Sequence, residues 1–166
     1  MEESILRKKG SIGKMALRKI YLEKEEILHK VCRPVTDFNE RLWQLLDDMA
    51  ETMYHADGVG LAAPQVGILR RAVVIDTGEG LIELVNPKIV MSKGNRLEVE
   101  GCLSCPGEYG KVKRPARVKV EAQNRYGDPV EYVGTELLAR AFCHEIDHLD
   151  GIVFKDKVVE MVQVEG

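Results

Sequence analysis

The 166-residue chain lacks any apolar run able to span a bilayer; its longest are a few residues, such as Ala72-Val73-Val74-Ile75. It also lacks an excess of either charge, with 24 Lys and Arg against 27 Asp and Glu and a net charge of −3. That balance gives no electrostatic reason to expect direct nucleic-acid binding or an anionic membrane as the main partner. The first ten residues, Met1 to Gly10, are charged and carry no apolar stretch of the kind a secretory signal needs. A cytoplasmic location is therefore expected. Cysteine is scarce, and Cys32, Cys102, Cys105 and Cys143 are expected to stay reduced in a cytoplasmic chain large enough to hold its own core. There is no internal repeat and no low-complexity tract. What is present, 45% apolar and 31% charged residues, is the composition of one ordinary globular domain.

Residues 1–16 are basic, contain Gly10 and Gly13 and show no clear periodicity, so they read as a flexible N-terminal extension to a single domain over 17–166. Leu42, Leu45, Leu46, Met49 and Met53 recur at three- and four-residue spacing, which predicts a helix over 39–55 capped by Asp37 or Asn39. Short β-branched runs follow at 72–76, 81–85, 88–91, 97–101, 117–122 and 130–133, divided by Gly, Pro and Asn. The connections are too brief for helical crossovers, so the sheets should be mainly antiparallel. A second helix is predicted from Thr135 to Asp150, with Thr135 as its cap, Leu137, Leu138, Ala141 and Phe142 as its apolar stripe, and Gly151 as a left-handed stop. Helix, strands and helix in one domain indicate an α+β fold.

The second helix contains His144-Glu145-Ile146-Asp147-His148. Residues four apart on an α-helix lie one above the other, so both imidazoles project from one face and can grip a single transition-metal ion. Glu145, one residue further round, can take a proton from water activated by that ion. Two surface histidines would be the plain alternative, but these continue the buried stripe, where ionisable groups need partners. The third ligand decides the class. Position 154 is Phe where a metzincin pattern would have His, and only Glu160 and Glu165 remain downstream as glutamates. The donor must therefore come from upstream, and the best segment is Glu100-Gly101-Cys102-Leu103-Ser104-Cys105-Pro106-Gly107. A thiolate beside two imidazoles suits Zn²⁺ or Fe²⁺. Cys102 and Cys105 together leave two other readings open: a closed structural zinc site and a thiol–disulfide redox pair. The first leaves Glu145 unexplained, and the second lacks a helix opening at the first cysteine.

The remaining segment, Gly58-Val59-Gly60-Leu61-Ala62-Ala63-Pro64-Gln65-Val66-Gly67, reads as a tight turn, or as small residues that let an extended peptide approach a sheet edge. Taken in order, Gly58 to Gln65, Glu100 to Ser104 and His144 to His148 resemble the three motifs of peptide deformylases, over roughly residues 17–157. The resemblance implies mainly antiparallel β-sheets around a central metal-binding helix, and removal of the formyl group from formylmethionyl nascent peptides. It implies Cys102, His144 and His148 as metal ligands with a fourth position left to solvent, and Glu145 as general base and then general acid. It further implies that the Gln65 side chain and the Leu103 backbone N–H hold the developing oxyanion. Leu137 and Ala141 would line the methionine pocket, and Gly60 and Gly101 would offer backbone groups to the peptide. The metal would be Fe²⁺, with Zn²⁺, Ni²⁺ or Co²⁺ able to substitute. The resemblance also implies the ribosome near its exit tunnel as a partner, and with the short tail from Lys155 to Gly166 docking through a long terminal helix is not expected. Three residues depart from the family pattern: Cys105 and Cys143 replace an apolar residue and a Gln, and Tyr109 stands where some members have Arg.

Overall fold

The computed structural model describes residues 16–163. The first helix, α1, spans Glu40–His55, and the Asn39 side chain accepts hydrogen bonds from the backbone N–H groups of Arg41 and Leu42. Eight strands follow: β1 Gly60–Ala62, β2 Ala72–Ile75, β3 Ile82–Lys93, β4 Arg96–Cys102, β5 Cys105–Arg114, β6 Arg117–Gln123, β7 Pro129–Thr135 and β8 Val158–Val162. The second helix, α2, spans Glu136–Leu149, between β7 and β8. Every named strand pair is antiparallel. They form a five-stranded sheet in the order β1-β2-β3-β6-β7 and a three-stranded sheet in the order β4-β5-β8.

The run Ala72-Val73-Val74-Ile75 is continuous because β2 is buried on both faces. Val73 and Ile75 join Leu84, Val118, Val120, Phe142, Ile146 and Leu149 in the core beneath α2. Ala72 and Val74 point the other way, to Leu42, Leu46, Met49 and Met53 of α1. The sheet thus lies between the two helices, and α2 is buried along most of its length. A third small cluster, Cys105, Val112 and Phe154 with Cys102 and Val158, ties the small sheet to the end of the chain.

Several elements differ from the sequence reading. The runs at 81–85 and 88–91 are one strand, β3, which passes through Pro87 with register shifts against β6. β1, β5 and β8 have no apolar alternation to announce them; the inward positions of β5 include Gly110 and Arg114. Thr135 stands at the N-cap of α2 but its side chain makes no capping bond, and the Glu136 N–H is taken by the Ala116 carbonyl at 3.2 Å. The helix does stop at Gly151, whose φ is +75°. A Cβ there would come within 2.7 Å of the His29 backbone, so glycine meets both a left-handed turn and a close approach. The expected flexible extension falls on residues 1–15, outside the described residues, apart from Ala16, whose N–H donates to Asp48 Oδ1 at 2.9 Å. No helix among the described residues is long and apolar enough to cross a membrane.

Candidate metal centre

One turn of α2 separates His144 from His148, and their rings stand 5.0 Å apart at 70°. The end of β4 brings Cys102 to them, so that one ligand atom from each of the three side chains lies within 4.8 Å of the others. Cys102 Sγ is 3.4 Å from His148 Nε2. On the far side of its ring, His144 donates through Nδ1 to the Glu100 carboxylate, which leaves Nε2 facing the cluster. A carboxylate behind an imidazole in this manner fixes the tautomer and raises the basicity of the other nitrogen. One soft sulfur, two imidazoles and this backing fit a divalent transition metal. Burial, helped by the His144 and Arg114 charges, lowers the His148 pKa well below its ordinary value and keeps that ring in the neutral form a metal requires.

The fit does not extend to a closed four-ligand site. Among the described residues, Cys105 groups with Glu23 and Glu108 rather than with the two histidines. Lys155 stands in that second group, 3.0 Å from Glu108 Oε1 and 3.6 Å from Glu23 Oε2, so an ammonium already balances its acids.

Glu145 lies beside the cluster, with Oε2 4.0 Å from His144 Nε2, and its other oxygen is buried without a hydrogen-bond partner. Burial pushes its pKa up to about 7, against the lowering pull of His144. A carboxyl so poised gains and loses a proton near neutral pH. Gly60 is what admits it: a Cβ at that position would meet Glu145 Oε2 at 2.5 Å, and one at Gly58 would meet Leu103 Cδ1 at 2.6 Å. The glycines of the first motif therefore seat it directly against the other two.

Gln65 is 1% exposed at the end of a short 3₁₀ turn, Ala63–Val66, that follows β1. Its Oε1 accepts from the Ala62 N–H at 3.0 Å, which aims Nε2 at Ser104 Oγ (3.0 Å) and Cys102 Sγ (3.5 Å). Leu103 occupies the turn joining β4 to β5, packed against the α1 side of the core. Gly101 lies under the ring of Tyr109, where a Cβ would be 2.8 Å from an aromatic carbon. Ala141 is buried in the core, whereas Leu137 is 51% exposed and lines a cleft of about 360 Å³ with Val99, Glu98 and Arg140.

Sequence reasoning did not foresee the charged network behind His144. Glu100 accepts from Arg114 Nε (3.1 Å) and Nη2 (2.9 Å), and from Arg140 Nη1 (2.7 Å), while Arg114 Nη1 also reaches Asp147 Oδ2 at 2.6 Å. Burial alone would raise the Glu100 carboxyl, but the His144 and Arg114 contacts outweigh it and hold it well below the usual carboxylate range. The available signal was an arginine in phase with the inward positions of β5.

Residues 17–164 match the model of the polypeptide deformylase family. The chain belongs to the peptide deformylase family. It is 61% identical over 148 residues to a peptide deformylase of Acetivibrio thermocellus, covering 89% of this chain and 87% of that protein. It is 59% identical over 151 residues to the peptide deformylase of Caldicellulosiruptor bescii, covering 91% of each. Among solved structures, a peptide deformylase from Legionella pneumophila superposes with a TM-score of 0.84 at 47% identity, covering 86% of both chains. Like the peptide deformylases it matches, the protein is a metal-dependent hydrolase that removes the formyl group from N-terminal formylmethionine of new polypeptides and releases formate. The α+β arrangement of antiparallel sheets and two helices is the fold of that family.

Proposed function

We propose that deformylation is carried out by Cys102, His144 and His148 as metal ligands, with Glu145, Gln65 and Leu103 as the groups that act on the substrate. The observation that carries this reading is the meeting of three separate motifs: a three-ligand cluster with a buried, unpaired carboxylate oxygen beside it and an amide N–H₂ aimed into it. When bound, a divalent cation supplies Lewis acidity and lowers the pKa of the attacking water. Glu145 takes the proton of that water and later delivers it to the leaving amine, a sequence its pKa near neutrality allows. Gln65 Nε2 and the Leu103 N–H donate to the oxygen that gains charge as the formyl carbon becomes tetrahedral. Burial of Gln65, and the grip of the Ala62 N–H on its Oε1, hold the donor ready before the reaction. Gly60 and Gly101 present backbone to the peptide, and Leu137 and Ala141 border the methionine side chain.

Fe²⁺ is the metal we propose for the cell, since a mixed thiolate and imidazole set suits it; Zn²⁺, Ni²⁺ or Co²⁺ can replace it. We further assign the enzyme to the cytoplasm, with residues 17–166 as one catalytic domain behind an N-terminal extension, and with the ribosome exit region as the place where its substrates emerge. Replacing Glu145 with Gln tests the mechanism. The variant should keep its metal and lose formate release from a formyl-Met-Ala-Ser peptide by about 10²–10⁴-fold. Normal turnover by a metal-loaded Glu145→Gln enzyme would refute the assignment.

A further inference from the structure

Cys105 plays no part in the chemistry above, yet it sits directly across the β4–β5 hairpin from Cys102, with only Leu103 and Ser104 in the turn between them. Antiparallel register partners bring their Cα atoms to about 4.5–5.5 Å and turn their side chains to one face of the ladder. A disulfide needs about 4.4–6.8 Å between Cα atoms, a range that covers register partners. Both cysteines belong to the small cluster with Val112, Phe154 and Val158. Cys102 is the more open of the two, while Cys105 is 2% exposed. The other cysteines, Cys32 and Cys143, belong to the core beneath α2.

We propose that Cys102 and Cys105 form a peroxide-sensitive modification site, in which a reversible disulfide withdraws the sulfur ligand and releases the metal. The inference rests on the reading of Cys102 as a ligand. As a thiolate, Cys102 Sγ attacks one peroxide oxygen, the O–O bond breaks, and the departing hydroxide takes a proton from solvent, which leaves a sulfenic acid and one water. Cys105 Sγ then attacks the sulfur of Cys102, the S–O bond breaks, and the departing hydroxide takes the Cys105 proton to leave as a second water. Two thiols are oxidised by two electrons in all, and hydrogen peroxide is reduced to two waters. The cation is left with two imidazoles and is lost. A dithiol reductant reverses the step. Because Cys105 stands next to the sulfenic acid, it captures that species before further oxidation to the irreversible sulfinic acid. This is a modification of the enzyme's own thiols, not a dithiol oxidoreductase activity.

The test uses the zinc-loaded holoenzyme, whose metal has no redox chemistry, and hydrogen peroxide at several equivalents per enzyme. Two of the four thiols should disappear together with the bound zinc. The tryptic peptide covering residues 97–111, which holds both cysteines, should lose two hydrogens. A dithiol with fresh zinc should restore thiols and metal. Cys105→Ala and Cys105→Val enzymes should deformylate normally before treatment, but peroxide should carry their Cys102 to sulfinic acid, beyond rescue by dithiol. Sulfinic or sulfonic Cys102 in the untouched sequence, a disulfide to Cys32 or Cys143, or full recovery of the Cys105 variants would overturn the proposal. Should those variants not fold, the peptide mass of the parent enzyme decides. Deformylation by the untreated enzyme judges the functional reading separately.

Discussion

Glu100 is the residue whose removal tells most about how the centre is held. Its buried carboxylate takes two hydrogen bonds from Arg114, one from Arg140 and one from His144 Nδ1. Glu100→Gln keeps the shape but removes the charge, and turns one oxygen into a donor that faces donors. Breaking a buried ion pair by removing one partner costs about 3–5 kcal/mol. Arg114 retains Asp147 at 2.6 Å, so the lower end, about 3 kcal/mol, is expected. His144 also loses the carboxylate that orients it, which should weaken metal binding by about 10–100-fold, or about 1.4–2.7 kcal/mol. Urea unfolding of the metal-free protein reads the first effect, and competition with a chelator reads the second. The pH dependence has a fixed sign. Glu100 is held below the usual carboxylate range when folded, so the unfolded chain takes up its proton first as pH falls. Its stabilisation is complete above about 4.3, the ordinary Glu value, and is lost as pH drops through the folded value. The gap between parent and variant should therefore close in acid. Equal urea midpoints together with equal metal affinity would refute the reasoning.

Gln65→Leu should lower kcat by about 10²–10³-fold at saturating metal, measured as formate release, because it removes one preorganised donor to the oxyanion. Gly60→Ala places a Cβ 2.5 Å from Glu145 Oε2 and must displace that carboxylate, so activity should fall while metal content stays near that of the parent. Tyr54 provides a probe away from the centre. Its hydroxyl donates to Asp76 Oδ2 at 2.6 Å, and burial followed by this bond raises its pKa to about 12. The folded state holds this proton more tightly than the unfolded one, so the contribution is present below about 10 and lost as pH rises towards 12. Ultraviolet titration of tyrosinate should show one group moving back towards its ordinary value in Asp76→Asn.

The two helices were legible in the chain because both carry a 3.6-residue apolar period, and α1 also has a local cap in Asn39 that needs no distant partner. His144, Glu145 and His148 were legible for the same reason: helical spacing alone puts the imidazoles on one face and the carboxylate beside them. β2, β6 and β7 declared themselves through β-branched runs. β5 did not, because its buried positions are occupied by Gly110 and Arg114, whose partners lie on other elements. Residue type and spacing left Cys105 open beside Cys102, the motif resemblance named Cys102, and the tertiary structure groups Cys102 with the histidines. The fold seats Cys102 beside them and Cys105 beside Glu23 and Glu108, a placement that residue type alone does not give. Of the Glu100–Arg114–Arg140 network the chain shows only an arginine in phase with Gly110 and Val112, since its members lie 14 and 40 positions apart and become partners only when β4, β5 and α2 pack together. Spacing along one helix is a local property, whereas pairing across strands depends on how the whole chain closes.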